Sequence, residues 1–338
     1  MLEVTALGWT VTIAVILGLL ALDVVLGTVR PHVVGFREAL AWSVFYIAAA
    51  IVFGVIFAGQ VGWEYGTEYF AGYIVEKSLS VDNLFVFVVI MSTFAVPSEY
   101  QHKVLTFGIV LALMLRVIFI ALGATLLSLF SFMFLVFGAL LIWTGVQLFR
   151  HRDEDPNVED NALVRLTRRV LPVTTRYVDG RLIARVDGRR MVTPLFVVLV
   201  AIGSTDLLFA LDSIPAVFGV TEEPYLVFVA NAFALLGLRA LFFLVKGLLD
   251  RLVYLSTGLA LILVFIGVKL VLHWGHGLDE RVPEIDTPVS LAFIVTVLLI
   301  TTVASVIKVR RDPRARAHAG ALRVQHAPTE TEQIGRDR

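Results

Sequence analysis

Nine apolar runs dominate this 338-residue sequence, at roughly 9–29, 39–59, 72–95, 104–123, 130–149, 193–218, 225–245, 252–272 and 288–307. About 20 residues of helix cross the ~30 Å of hydrocarbon in a bilayer. A soluble fold could not hide nine such runs. Composition agrees: 58% of residues are hydrophobic and 17% charged, against about 45–50% and about 25% in soluble domains. The expected fold class is an all-α polytopic membrane protein of about nine transmembrane helices. Met1–Gly8 carries Glu3 and no basic residue, so the first run reads as a retained span rather than a signal peptide. The sequence has no cysteine, which removes disulfides, thiolate ligands and cysteine nucleophiles.

The basic residues set the orientation. With the N-terminus outside, the cytoplasmic segments 30–38, 96–103, 150–192, 246–251 and 308–338 hold 2, 1, 10, 2 and 8 Lys/Arg, or 23 of 28. The outer segments hold one, Arg281. By the positive-inside rule the chain is N-out and C-in. The location expected is the plasma (inner) membrane, multi-pass, with lipid as surroundings and no nucleic acid as partner. Segment 151–192 reads as a cytoplasmic loop, where Asp179-Gly180 and Asp187-Gly188 mark turns suited to a small hairpin. The tail 308–338 is Arg-rich, then polar, and reads as disordered.

Three short matches recur at nearly constant offset. Ser80-Val-Asp82-Asn-Leu-Phe85 parallels Ser204-Thr-Asp206-Leu-Leu-Phe209, Leu115-Arg116 parallels Leu238-Arg239, and Gly145-Val146-Gln147-Leu148 parallels Gly267-Val268-Lys269-Leu270. An odd number of spans separates the copies, so they would run in opposite directions. The organisation expected is an inverted 3+3 repeat, spans three to five over 61–150 and six to eight over 193–275, of the kind many secondary transporters use. Spans one and two (1–60) and the outer loop with the last span (276–307) would be peripheral. Chance similarity among Leu/Val/Phe-rich helices is the alternative.

Carboxylates deep in lipid cost at least about 2.5–3.5 kcal/mol each, yet spans three and six hold Glu76, Asp82, Asp206 and Asp212. Counting residues from each end gives two layers: Asp82 with Asp206 at the midplane, and Glu76 with Asp212 outward of them. Six residues turn a straight helix by about 600°, so both acids of a pair face one cavity only if the helix is distorted. Ser80, Asn83, Ser204, Thr205, Ser213 and Asn231 supply neutral oxygens nearby, or merely glue helices together. Arg116 and Arg239 hold matching mid-depth positions and could pair with the central acids. Lys77 and Lys269 lie nearer the outer layer and could snorkel. Asp23 reads as a satisfied acid rather than a ligand. All seven histidines fall in loops, tails or span ends, so a midplane site would be built from oxygen, which suits hard cations such as Mn²⁺ or Mg²⁺.

These stretches resemble the TerC family of membrane proteins, through Gly72-Tyr-Ile-Val-Glu76-Lys-Ser-Leu-Ser-Val-Asp82-Asn-Leu-Phe85, Thr205-Asp206-Leu-Leu-Phe-Ala-Leu-Asp212-Ser-Ile-Pro-Ala216 and Asn231-Ala-Phe-Ala-Leu-Leu-Gly-Leu-Arg239. The likeness covers roughly residues 35–275. It implies a LysE-type transporter fold and divalent-cation efflux, Mn²⁺ foremost, with Glu76, Asp82, Asp206 and Asp212 as ligands and Ser80, Asn83 and Asn231 beside them. The transported cation is the ligand implied, with no resident cofactor. The chain departs from the family pattern at Gly203, where a Glu commonly precedes the second motif's Asp. With no P-loop in the sequence, proton antiport would drive export. Three other readings stand beside it: a membrane scaffold for tellurium or metal stress acting through 151–192 and the tail, an exporter of another small cationic solute, and, least favoured, an intramembrane enzyme.

Overall fold

In a computed structural model the described residues of the chain form eleven α-helices and one β-hairpin. The structure describes residues 4–29, 35–150, 162–174, 176–178, 180–186, 189–246 and 254–311. The helices are α1 (Ala6–Val29), α2 (Phe36–Val61), α3 (Trp63–Thr93), α4 (Ser98–Leu129), α5 (Met133–Arg150), α6 (Ala162–Val170), α7 (Pro194–Phe218), α8 (Pro224–Leu235), α9 (Leu238–Lys246), α10 (Leu255–His276) and α11 (Thr287–Arg311). Eight of the nine apolar runs fall mainly on one helix each, and the run 225–245 is divided between α8 and α9. Among the described residues seven helices are long and apolar enough to cross a membrane, or eight when α8 and α9 count as one bent span. That count differs from the nine expected for two reasons. The first reason is charge, since α3, 31 residues long, carries Glu64, Glu68, Glu76, Lys77 and Asp82. The second is the break in span seven, where α8 and α9 meet at a 44° bend.

That break has a local cause. Leu236 leaves the helical region at ψ 134°, and Gly237 takes φ +75°, a left-handed conformation that glycine alone adopts freely. A Cβ on Gly237 would lie 2.5 Å from the ring of Tyr46, so the break also depends on the absence of a side chain there.

Close helix crossings elsewhere rest on small residues, as expected where lipid supplies no hydrophobic drive between helices. A Cβ on Gly138 would stand 2.7 Å from the carbonyl oxygen of Gly267, and one on Gly145 would stand 2.9 Å from that of Ala260. These contacts run α5 antiparallel to α10. Gly108 faces Ile202 and Gly123 faces Phe218, so α4 and α7 run parallel. A side chain at Gly138 or Gly267 has backbone in its way. We expect Gly267→Val to destabilise the protein by roughly 1–3 kcal/mol, read as a lower thermal midpoint in detergent.

The lateral surface is apolar. Leu17, Val44, Met114, Ile118, Leu299 and Ile300 are each more than half exposed, as on a surface that faces lipid. The protein is an integral multi-pass membrane protein. The expected hairpin is present as β1 (Ile183–Val186) paired antiparallel with β2 (Arg189–Val192), with Ile183 opposite Val192. Gly180 takes φ +62°, and its carbonyl accepts a hydrogen bond from Lys103 Nζ at 2.6 Å. The loop is thus tied to the start of α4. The tail beyond Arg311, where disorder was expected, lies outside the described residues.

Candidate functional site

The centre of the bundle holds one arginine between two acids. Arg116 of α4 is 1% exposed. Its Nη1 donates to Glu76 Oε1 of α3, and its Nη2 stands 3.7 Å from Asp206 Oδ1 of α7. Ser80, one turn after Glu76, donates to the same Oε1 at 3.2 Å. One guanidinium thus brings Glu76 together with Asp206. The two-layer arrangement, with Glu76 beside Asp212, is therefore corrected: residue counting fixes Cα height, while long side chains set where charges meet.

Asp212 points elsewhere. It accepts a hydrogen bond from Thr144 of α5 at 3.0 Å, and α7 runs unbroken through it. Asp206 and Asp212 thus face different neighbours, Arg116 of α4 and Thr144 of α5. Asp82 lies in α3, but its side chain is outside the described residues. Among the described residues no three of His, Asp or Glu stand together as a metal-holding group.

Several buried polar groups on α3, α4, α7 and α8 are under-satisfied. Glu76 Oε2, Asp206 Oδ2, Arg116 Nε, Asn83 Nδ2, Ser213 Oγ and both amide atoms of Asn231 are buried without a hydrogen-bond partner among the described residues. Such atoms are rare in folded proteins. Ser204 and Thr205 differ: each donates to Ala201 O of its own helix, at 2.9 and 2.7 Å, the local back-bonding usual for these residues. A Cβ on Gly203 would lie 2.7 Å from Leu111 Cδ2, so a larger residue at that position must first displace Leu111.

The remaining charges find partners that residue counting does not reveal. Arg239 of α9 pairs with Asp23 of α1 at 3.2 Å, not with a central acid, and Tyr46 of α2 donates to Asp23 at 3.2 Å. Asp23 is satisfied, as expected. Lys77 does not snorkel; its Nζ donates to the carbonyls of Ala234 and Leu236 at 2.9 and 3.4 Å.

A second polar region lies where α7 gives way to α8. A cavity of about 310 Å³ is lined there by Glu68, Glu222, Lys269, His273, Glu284 and Asp286, among others. His273 clasps two loops, with Nε2 2.9 Å from Glu222 and Nδ1 2.7 Å from Glu284. Donating from both nitrogens requires the imidazolium. The hydrogen bond from His273 is the main reason that the Glu222 carboxyl is held below the usual carboxylate range, against a smaller opposing effect of burial. A depressed acid stabilises the folded form above its ordinary range, and that contribution disappears as pH falls through the folded value. Acidification is therefore expected to loosen the clasp, seen as faster amide exchange in 219–223. The effect is small, because the Glu222 side chain is 59% exposed and solvent screens it.

A bundle of apolar helices closed around buried charge defines a multi-helix integral membrane protein. The family model described as "Integral membrane protein TerC family" matches residues 61–313, and the chain belongs to that family. An uncharacterized membrane protein of Myxococcus xanthus is 43% identical over 311 residues, covering 92% of this chain and 95% of its own. One from Mycobacterium tuberculosis H37Rv is 44% identical over 353 residues, covering 99% and 88%. A Salmonella typhi protein whose name proposes a membrane-bound redox modulator, Alx, is 35% identical over 324 residues, covering 93% and 98%. No solved structure matches the chain significantly.

Proposed function

We propose that this protein exports divalent cations, Mn²⁺ foremost, across the plasma (inner) membrane by alternating access. The observation that carries the reading is the triad at the bundle centre. Glu76 and Asp206 share a single arginine, which leaves one negative charge in excess. The second oxygen of each acid has no partner among the described residues. A buried, uncompensated charge costs several kcal/mol, and a bound cation or a proton removes that cost. Carboxylates that accept either ion can trade them, which is the chemistry of metal–proton antiport. Oxygen donors select hard cations; Asn231 Oδ1 and Asp82 of α3 are the further oxygens proposed to complete the site.

The topology proposed is N-out and C-in, with α3 as an additional crossing and α8–α9 as one broken span. An inverted repeat of α3–α5 and α7–α10 is supported by the antiparallel course of α5 and α10 and by Lys77 and Gly72 running alongside Ala234 and Ala230. Moving two charges outward against 100 mV requires about 4.6 kcal/mol, and proton entry would supply it. A redox role, suggested by the Salmonella relative's name, is less favoured because this sequence has no cysteine to carry thiol chemistry. The test is Mn²⁺ uptake by inside-out vesicles. Native protein should transport above empty vesicles and Asp206→Asn should not; equal flux in both would place the ion path elsewhere.

A further inference from the structure

The α8–α9 break leaves the last carbonyls of α8 without helical partners, at the negative end of its dipole. In lipid no water stands by to satisfy them. Ends of broken helices in transporters commonly answer this by binding a free monovalent cation such as Na⁺. Here the position is filled from within the chain. Lys77 Nζ lies 2.9 Å from Ala234 O and 3.4 Å from Leu236 O, and no carboxylate pairs with it among the described residues. Its neighbour Glu76 is engaged with Arg116 and Ser80 instead. The far side of the break is fixed as well, since Tyr46 packs on Gly237 while Asp23 holds both Tyr46 and Arg239.

We propose that the Lys77 ammonium is a tethered monovalent cation, seated in a carbonyl site at the α8–α9 break that would otherwise take a free alkali cation or small alkylammonium ion. The carbonyl pair accepts hydrogen bonds and offers no carboxylate, so one positive charge suits it and a divalent ion does not. The native protein then needs no Na⁺ or K⁺ to hold the break, and Lys77 acts as a positioning residue rather than a substrate ligand. This goes beyond the export reading and does not depend on it, because its readout is stability without any divalent cation present.

The experiment uses purified Lys77→Ala and native protein in detergent, with thermal midpoints recorded at fixed ionic strength. The titrants are NaCl, KCl and n-propylammonium chloride, with N-methyl-D-glucamine chloride as an ion too bulky for the seat. Lys77→Ala should melt several degrees below native, and n-propylammonium or an alkali ion should restore part of that loss with saturation, while N-methyl-D-glucamine should not. Native protein should shift with none of them. Equal response to all four salts, or the same shift in native protein, overturns the proposal. Should Lys77→Ala fail to fold, Lys77→Met keeps the apolar stem and removes only the charge. Its amide exchange around 236–241 should then rise at least several-fold over native, and unchanged exchange overturns the proposal equally.

Discussion

Arg116→Met is expected to cost the folded protein about 3–5 kcal/mol, the usual penalty for removing one partner from a buried ion pair. Arg116 is 1% exposed and Glu76 is fully buried, so neither acid can turn to water once the guanidinium is gone. The loss is one of charge balance more than of volume, because methionine fills much of the same space. Neutralising the acids should therefore recover part of it. The triple change Arg116→Met, Glu76→Gln, Asp206→Asn should melt above the single variant, and a triple variant no more stable than Arg116→Met would show that packing, not charge, sets the penalty. Thermal unfolding in detergent, with expression yield alongside, reads both.

The second large effect is expected at Gly237. A β-branched residue there must adopt φ +75°, at a cost of about 1–2 kcal/mol. Its Cβ must also displace the Tyr46 ring, 2.5 Å away, for roughly another 1–3 kcal/mol of overpacking. Tyr46 is itself bound to Asp23, and Asp23 to Arg239, so the strain passes directly into an ion pair. Gly237→Val should lower the thermal midpoint far more than Gly59→Val. A Cβ on Gly59 meets nothing within 4 Å, and its φ is ordinary. Similar losses at both positions would mean that the break is not under this constraint.

Helix existence was legible because nine apolar runs of nearly membrane length admit little else, and β1–β2 followed from its Asp-Gly turn. The break in span seven was not. Gly237 stands in the run Leu235-Leu236-Gly237-Leu238, and an isolated glycine among leucines reads as helix until Tyr46 is known to pack on it. The identities of the buried charges were legible from their cost in lipid, but not their pairing. Asp23 and Arg239 lie 216 residues apart, and no local signal couples them. Glu76 and Asp206 were assigned different depths because residue counting ignores the reach of an arginine that serves both. Lys77 was expected at an aqueous rim, since nothing in the sequence announces that two carbonyls would be released beside it.

Cation uptake by the Glu76–Arg116–Asp206 triad is reported most directly by Mn²⁺ binding. Free hydrated Mn²⁺ can be titrated by its paramagnetic resonance signal against native protein and Glu76→Gln, Asp206→Asn. Saturable binding to the native protein that is lost in the double variant is the result predicted here. Equal binding by both proteins, or none by a folded native protein, would contradict it.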